Sequence, residues 1–294
     1  MSRVVSFGEI LWDKFLSGKE PGGAPLNFAY RLNSFQNSLS IISKVGDDLL
    51  GKELIEFLKK NKLDTEHIQI SKIHKTGEVN VSIDKKGIAD YNILNPVAWD
   101  DINYNTKIEK LVKNCSIFVF GSLINRNETS RDTLKELLKI APFKLFDVNL
   151  RSPYYNLNLI KELMLSSDFI KFNLEEITEI SSIYNRKKIS LEGMIKIISK
   201  KTKTTNICVT MGEKGACYYT NNSFYFQDGF KINVSDTIGA GDSFLATLVE
   251  GILNNTKPKE VLKKACAVAA IVASKKGATS KVSLNEISDL IESK

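Results

Sequence analysis

An α/β fold built on a mainly parallel sheet is what this 294-residue sequence predicts. Three observations lead there. Short apolar runs alternate with helix-patterned stretches over almost the whole length, the arrangement of βαβ units. Several runs end in a polar or glycine-bearing tail (GEILWD, GSL, DVNLR, NLEE, TMGEKG), and parallel sheets bind ligands beyond the carboxyl ends of their strands. One stretch, EVNVSIDKKGIADYNIL at 78–94, alternates with period two around Lys-Lys-Gly and reads as a β-hairpin inserted in the first third.

Taken in order, VVSFG (4–8) is the first strand. GGAPLNF (22–28) follows, where Gly22 and Gly23 expose backbone before a helix carrying Leu26, Ala29, Leu32 and Phe35 inward. Asn27, in its first turn, offers a donor and acceptors to a polyhydroxylated ligand, and a Gly-Gly turn with a nearby cap accounts for the same pattern. LSIISKVG (39–46) is the next strand and GKELIEFLKKN (51–61) the next helix. Between them GDDLLGKE (46–53) imitates a phosphate-binding loop. Glu53 stands where Ser or Thr must hold magnesium, and Asp47 and Asp48 would bring negative charge into the cradle, so that reading fails. The hairpin suits a lid, a dimer contact or a structural appendage. Strands SIFVFGS (116–122), FKLFDVN (143–149), DFIKFN (168–173) and NICVTMG (206–212) follow, with helices RDTLKELLKI (131–140) and VLKKACAVAAIVASK (261–275).

Composition narrows the function. The net charge of +7 comes from 41 basic and 34 acidic residues, and the lysines are spread in pairs, so nucleic acid is not an expected partner. Cys115, Cys208, Cys217 and Cys266 lack C-x-x-C spacing, and His67 and His74 form no zinc pattern. The chain enters the strand-like RVVSFGEI at once and has no apolar run of membrane-spanning length. A reduced, cytoplasmic, soluble protein is expected.

The nonapeptide DTIGAGDSF (236–244) carries the chemistry. From Phe244 on, Leu245, Leu248, Val249, Ile252 and Leu253 recur on one helical face. Gly239, Ala240 and Gly241 leave the helix's first N–H groups uncovered, and those groups with the helix dipole suit an anion. Asp242 beside such a site is either a dipole partner of the first turn or a carboxylate with a chemical task.

Together these pieces resemble the ribokinase-like carbohydrate kinases of the PfkB family over essentially the whole chain. DTIGAGDSF is similar to that family's C-terminal signature, G-x-x-x-x-G at 46–51 to the stretch near its N-terminal one, TMGEKG to T-x-G-x-x-G, NLEE to N-x-x-E, and DVNLR (Asp147, Asn149, Arg151) to D-x-N-x-R. GEILWD, GGAPLN and AWDDI (98–102) are most similar to fructokinases, although 2-keto-3-deoxygluconate kinases share GE and GGA-type stretches. Cys266 stands where ribokinases place an Asn near adenine, and Val148 where Pro is frequent.

The resemblance implies a three-layer sandwich with a mainly parallel sheet and a small β lid, formed by roughly 10–20 and 74–104 of one kinase domain over 1–294. It implies transfer of the ATP γ-phosphoryl group to a sugar hydroxyl. Asp242 is then the base and Gly239, Ala240 and Gly241 the anion hole. Asp13, Gly22, Gly23, Asn27 and Arg151 would meet the sugar, with an ion pair as the other role for Arg151. Asn173, Thr210, Gly212 and Gly215 would meet ATP, and Glu176 would hold Mg²⁺ through water. Asp236 allows a K⁺ site. The partners are a sugar and ATP, and the assembly a homodimer. A kinase for 2-keto-3-deoxygluconate, ribose or a nucleoside is the alternative, and a non-catalytic sugar-binding protein the reading from another class.

Overall fold

The apolar run at the start becomes β1 (Val4–Phe7), all four residues buried. The protein is described here from a computed structural model covering residues 3–16, 18–83, 89–185 and 189–293, and it divides into two units, Met1–Pro142 and Phe143–Lys294.

In the first unit β1 is followed by β2 (Leu11–Phe15), β3 (Gly18–Gly22), α1 (Ala24–Ser34), β4 (Leu39–Gly46), α2 (Leu49–Lys60) and β5 (Ile68–Ser71). After these come β6 (Gly77–Ile83), β7 (Ala89–Ile93), α3 (Thr106–Lys113), β8 (Ile117–Gly121) and α4 (Glu128–Ile140). β8, β1, β4 and β5 lie side by side, all parallel, with Val4 opposite both Leu39 and Ile117. Every residue of β4 is buried, as expected of a strand covered on both faces. Phe7, Phe118 and Phe120 form a ring cluster with centroids about 6 Å apart, and α1 packs Leu26, Ala29 and Leu32 inward. Phe35 is not part of that face: the helix ends at Ser34, and Phe35 is its half-buried C-cap.

A second, four-stranded sheet, in the order β3-β2-β6-β7, occupies the segments expected to form a lid. β6 and β7 are antiparallel, with Ile83 opposite Ala89; the intervening 84–88 lies outside the described residues. The GEILWD tail, read as the end of a strand, is itself a strand here. β2 pairs antiparallel with the adjacent β3 and parallel with β6, a partner distant in sequence.

The second unit runs β9 (Lys144–Asp147), α5 (Leu157–Leu165), β10 (Phe169–Asn173), α6 (Leu174–Tyr184), α7 (Leu191–Thr202) and β11 (Asn206–Thr210). β12 (Ala216–Thr220), β13 (Ser223–Gln227), α8 (Ala240–Leu253), α9 (Pro258–Ala273) and α10 (Leu284–Glu292) complete it. β9, β10 and β11 are parallel, while β12 and β13 continue the sheet antiparallel. Those two strands are absent from the strands expected above, because GACYYTNNSFYFQ lacks clean apolar–polar alternation. Phe169 meets Tyr218 at 5.6 Å between centroids, and Tyr219 meets Phe224 at 4.8 Å. All four cysteines are buried thiols. Among the described residues no helix is long and apolar enough to cross a membrane.

Candidate active site

The sequence-predicted site residues fall into two clusters, one in each unit. In the first, β2 carries Asp13 and the end of β3 carries Gly22. A Cβ on Gly22 would stand 2.0 Å from Asp13 Oδ2, so the glycine is what lets the carboxylate lie over the neighbouring strand. Gly23 is next, with φ of 102°, and a Cβ there would come within 2.5 Å of the Glu9 carbonyl oxygen. Both its backbone and its surroundings therefore require glycine. Gly23 is the N-cap of α1 and makes no side-chain cap bond; its carbonyl accepts from the N–H groups of Leu26 and Asn27. Asn27 is therefore not a cap. Its side chain is buried in the first turn, close in sequence to the paired glycines.

In the second unit the register of the sheet collects the polar ends of three adjacent strands. Lys171 lies opposite Asp147, and Asn173 opposite Thr210. The D-x-N-x-R element divides its work. Asp147, the last residue of β9, accepts from Lys171 Nζ at 3.0 Å, and Asn149 takes a left-handed turn at φ of 36°. Arg151 is exposed, donating to the Leu150 carbonyl, with no ion pair among the described residues. The ion-pair role considered for Arg151 is not present, and its guanidinium is available to an anionic ligand.

N-x-x-E is a helix start. Asn173 Oδ1 accepts from the Glu176 N–H at 2.8 Å, and Glu176 Oε2 accepts from the Asn173 N–H at 2.7 Å, a reciprocal capping box on α6. Glu176 Oε1 accepts from the Leu150 N–H at 3.0 Å. Burial raises the Glu176 carboxyl pKa, with Lys171 opposing and Asp147 adding to the rise. With each oxygen already accepting one backbone N–H, this carboxylate fits a magnesium ion reached through water. The Asn173 amide nitrogen, by contrast, has no acceptor among the described residues.

T-x-G-x-x-G forms the turn from β11 to β12. Gly215, at φ of 93°, packs so tightly that a Cβ would fall 1.9 Å from the Gln227 carbonyl oxygen. Gly212, at φ of 58°, faces open space, with nothing within 4 Å of its Cβ position. Thr210 Oγ1 lies 3.4 Å from the Phe172 carbonyl at the edge of that opening.

The GAG turn is likewise divided. Gly239 is the left-handed N-cap of α8 at φ of 75°, and a Cβ would meet the Ala278 Cβ at 2.4 Å. Gly241 is open; outside its own turn, the atom of the described residues that comes near its Cβ position is Lys171 Nζ, at 3.5 Å. Such a cradle over the first turn of a helix, which a side chain would fill, fits a phosphate group. Asp242 is half-buried in the same turn. Asp236 ties the loop down, accepting from the N–H groups of Ile238 at 2.9 Å and Gly277 at 3.1 Å.

Lys171 escapes sequence reasoning. Burial disfavours its ammonium, and Asp147, Glu176 and Asp242 outweigh that effect and raise its pKa. The signal was available: a lysine inside an apolar parallel strand is expensive unless paired. The false phosphate loop is also explained, since Asp48 caps α2 by accepting from the Gly51 N–H at 2.8 Å and also binds Thr76. Near His67, where no metal pattern was read, Asp64 and Glu66 approach, but Glu66 already pairs with Lys107 and Asp64 accepts from Ser40.

Comparison with known proteins bears on the family and the fold. A family model described as pfkB family carbohydrate kinase matches residues 16–285. A fructokinase-2 from Solanum lycopersicum is 29% identical over 94% of this chain and 91% of its own length. The sugar kinase PH1459 of Pyrococcus horikoshii is 31% identical over 94% of this chain and 92% of its own. Its crystal structure in complex with ATP superimposes with a TM-score of 0.79, covering 98% of this chain and 99% of that one. A fructokinase from Xylella fastidiosa with bound ATP, 19% identical, reaches 0.87 over 100% and 99%, which establishes a shared fold.

Proposed function

Since the chain belongs to the pfkB family of carbohydrate kinases and is an ATP-dependent sugar kinase, we propose that its sugar is fructose. The observation that carries the reading is the Asp13 carboxylate lying over Gly22, with buried Asn27 following Gly23. A carboxylate and an amide can bond several hydroxyls at once. The tomato relative named fructokinase supports the same choice.

In the proposed reaction a fructose hydroxyl oxygen bonds to the γ-phosphorus of ATP. The bond from that phosphorus to the bridging oxygen breaks, and its electron pair leaves with ADP. Asp242 takes the hydroxyl proton, acting as general base. Backbone N–H groups at Gly239, Ala240 and Gly241 stabilise the charge on the moving phosphoryl, an electrostatic task that phosphoryl transfer chiefly demands. Gly212 opens the β11–β12 turn to the nucleotide, with Gly215 holding the turn's shape and Thr210 at its edge. The Asn173 amide and Arg151 meet phosphate oxygens, Arg151 also being within the sugar's proposed ligand set. Mg²⁺ would neutralise the ATP phosphates, with Glu176 steadying one of its waters. Asp236 orders the anion-hole loop, and a K⁺ site beside it belongs to the same proposal.

One kinase domain over 1–294, with the small sheet as a lid and a homodimer contact, completes the reading. Four reduced cysteines suit residence in the cytoplasm. An ATP-coupled assay across fructose, ribose, adenosine and 2-keto-3-deoxygluconate tests it. The highest kcat/KM is expected for fructose; preference for a sugar acid or a nucleoside would overturn the substrate assignment. An intact protein that binds sugar yet transfers no phosphoryl to any of them would instead indicate a binding protein.

A further inference from the structure

Lys171 has more capacity than its visible partner uses. Only 6% of the residue is exposed, and its ammonium has three N–H donors. One is met by Asp147 Oδ1 at 3.0 Å, and among the described residues the other two have no acceptor. Buried donors left without acceptors are unfavourable, by an amount that grows for a charged group. The same Nζ is the atom nearest the open side of Gly241, 3.5 Å from the Cβ position there. Asp147 and Lys171 are opposite one another on parallel strands, so the ammonium is held in place before any ligand arrives.

We infer that Lys171 is a catalytic residue of the phosphoryl transfer, its two remaining N–H donors binding oxygens of the γ-phosphoryl group above Gly241. The backbone N–H groups of the GAG turn offer partial charge, while Lys171 supplies a full one, fixed and shielded from water. As the oxygen–phosphorus bond forms and the bond to the leaving ADP oxygen breaks, the phosphoryl oxygens stay anionic. The ammonium stabilises them without giving up a proton, because the hydroxyl proton goes to Asp242. Asp147 is the positioning residue: it orients Nζ and neutralises it when no phosphate is bound.

This rests on the kinase reading above, and the test separates the two. Lys171→Met alone leaves Asp147 buried and unpaired, so the decisive protein is Asp147→Asn/Lys171→Met, which removes both charges. Thermal melts, calorimetric binding of MgATP and MgADP, and steady-state kinetics are compared with wild type. The double variant is expected to melt near wild type, to bind MgATP about tenfold more weakly with MgADP unchanged, and to lose about 100-fold in kcat, the scale of one lost oxyanion donor. The sugar KM should not move. Wild-type MgATP affinity and kcat in the double variant would show that Lys171 only balances Asp147. Equal weakening of MgATP and MgADP would overturn the γ-phosphoryl assignment. Lys171→Arg keeps the charge and should keep the preference for MgATP; a loss as large as with Met overturns the inference even where the double variant fails to fold. A wild type that phosphorylates no sugar, yet shows the Lys171-dependent MgATP preference, would overturn the sugar assignment and the catalytic role while keeping the contact of Lys171 with the γ-phosphoryl group. A wild type that binds no MgATP overturns both.

Discussion

The carboxylate of Asp13 occupies the space where a side chain on Gly22 would be: a Cβ there would lie 2.0 Å from Oδ2. A methyl at this position must push the carboxylate aside. Gly22→Ala is therefore expected to raise the KM for fructose by about 10- to 100-fold, the range for a lost hydrogen bond to a charged group. Asp13→Ala should do the same, with the KM for ATP unchanged in both. A sugar KM that stays at wild type in Gly22→Ala would remove Asp13 from the sugar site.

Asp242 stands in the first turn of α8, where either a helix-dipole partner or a base is at home. Asp242→Asn preserves shape and separates the two roles. As a base it should lose about 10²- to 10⁴-fold in kcat while still binding ATP and sugar. As a dipole partner it would lose at most about 1 kcal/mol of stability, with turnover intact. Single-turnover kinetics and a thermal melt on the same sample decide.

The two glycines of the anion turn should fail in different ways. Gly239→Ala forces a Cβ against Ala278 at a backbone angle that L-residues avoid, and is expected to destabilise the fold by about 1–3 kcal/mol. A Cβ at Gly241 meets Lys171 Nζ at 3.5 Å, an ordinary contact with the end of a flexible side chain. Gly241→Val should leave the melting temperature nearly unchanged while abolishing most turnover by filling the phosphate cradle. If both variants lose stability alike and retain kcat per folded molecule, the turn is structural.

At the end of the chain, bonds from Lys275 and from the N–H and hydroxyl of Ser283 hold the Glu286 carboxyl at about 2. Its folded pKa is below the unfolded value of 4.5, so the interaction is fully present above 4.5 and is lost as pH falls through about 2. Hydrogen exchange in α10 should speed up on acidification below pH 4.5, and Glu286→Gln should remove that acid dependence. Persistence of the same acid dependence in the variant would assign it to another carboxyl.

The strands of the small sheet, β2, β3, β6 and β7, are proposed to close over bound sugar and exclude water. Backbone exchange across 78–94 should slow when fructose is added. Exchange that ignores fructose, in a protein that sediments as a monomer, would make the hairpin an appendage.

Much of this protein is determined by its sequence alone. Short, mostly apolar runs such as LSIISKVG and NICVTMG, without a helical stripe and bounded by helix-patterned stretches, read as buried strands. DTIGAGDSF and GGAPLN announce their chemistry locally, since uncovered N–H groups at a helix start follow from small residues in sequence. Pairings between distant segments are another matter. That β2 would leave β1 to pair with β6 depended on a partner far along the chain. Lys171 shows the reason most plainly. Its charge is legible in DFIKFN, but the carboxylate that tolerates it and the glycine it faces are brought to it by parallel register and by the start of α8. A buried charge takes its meaning from its neighbours, and only the tertiary structure supplies them.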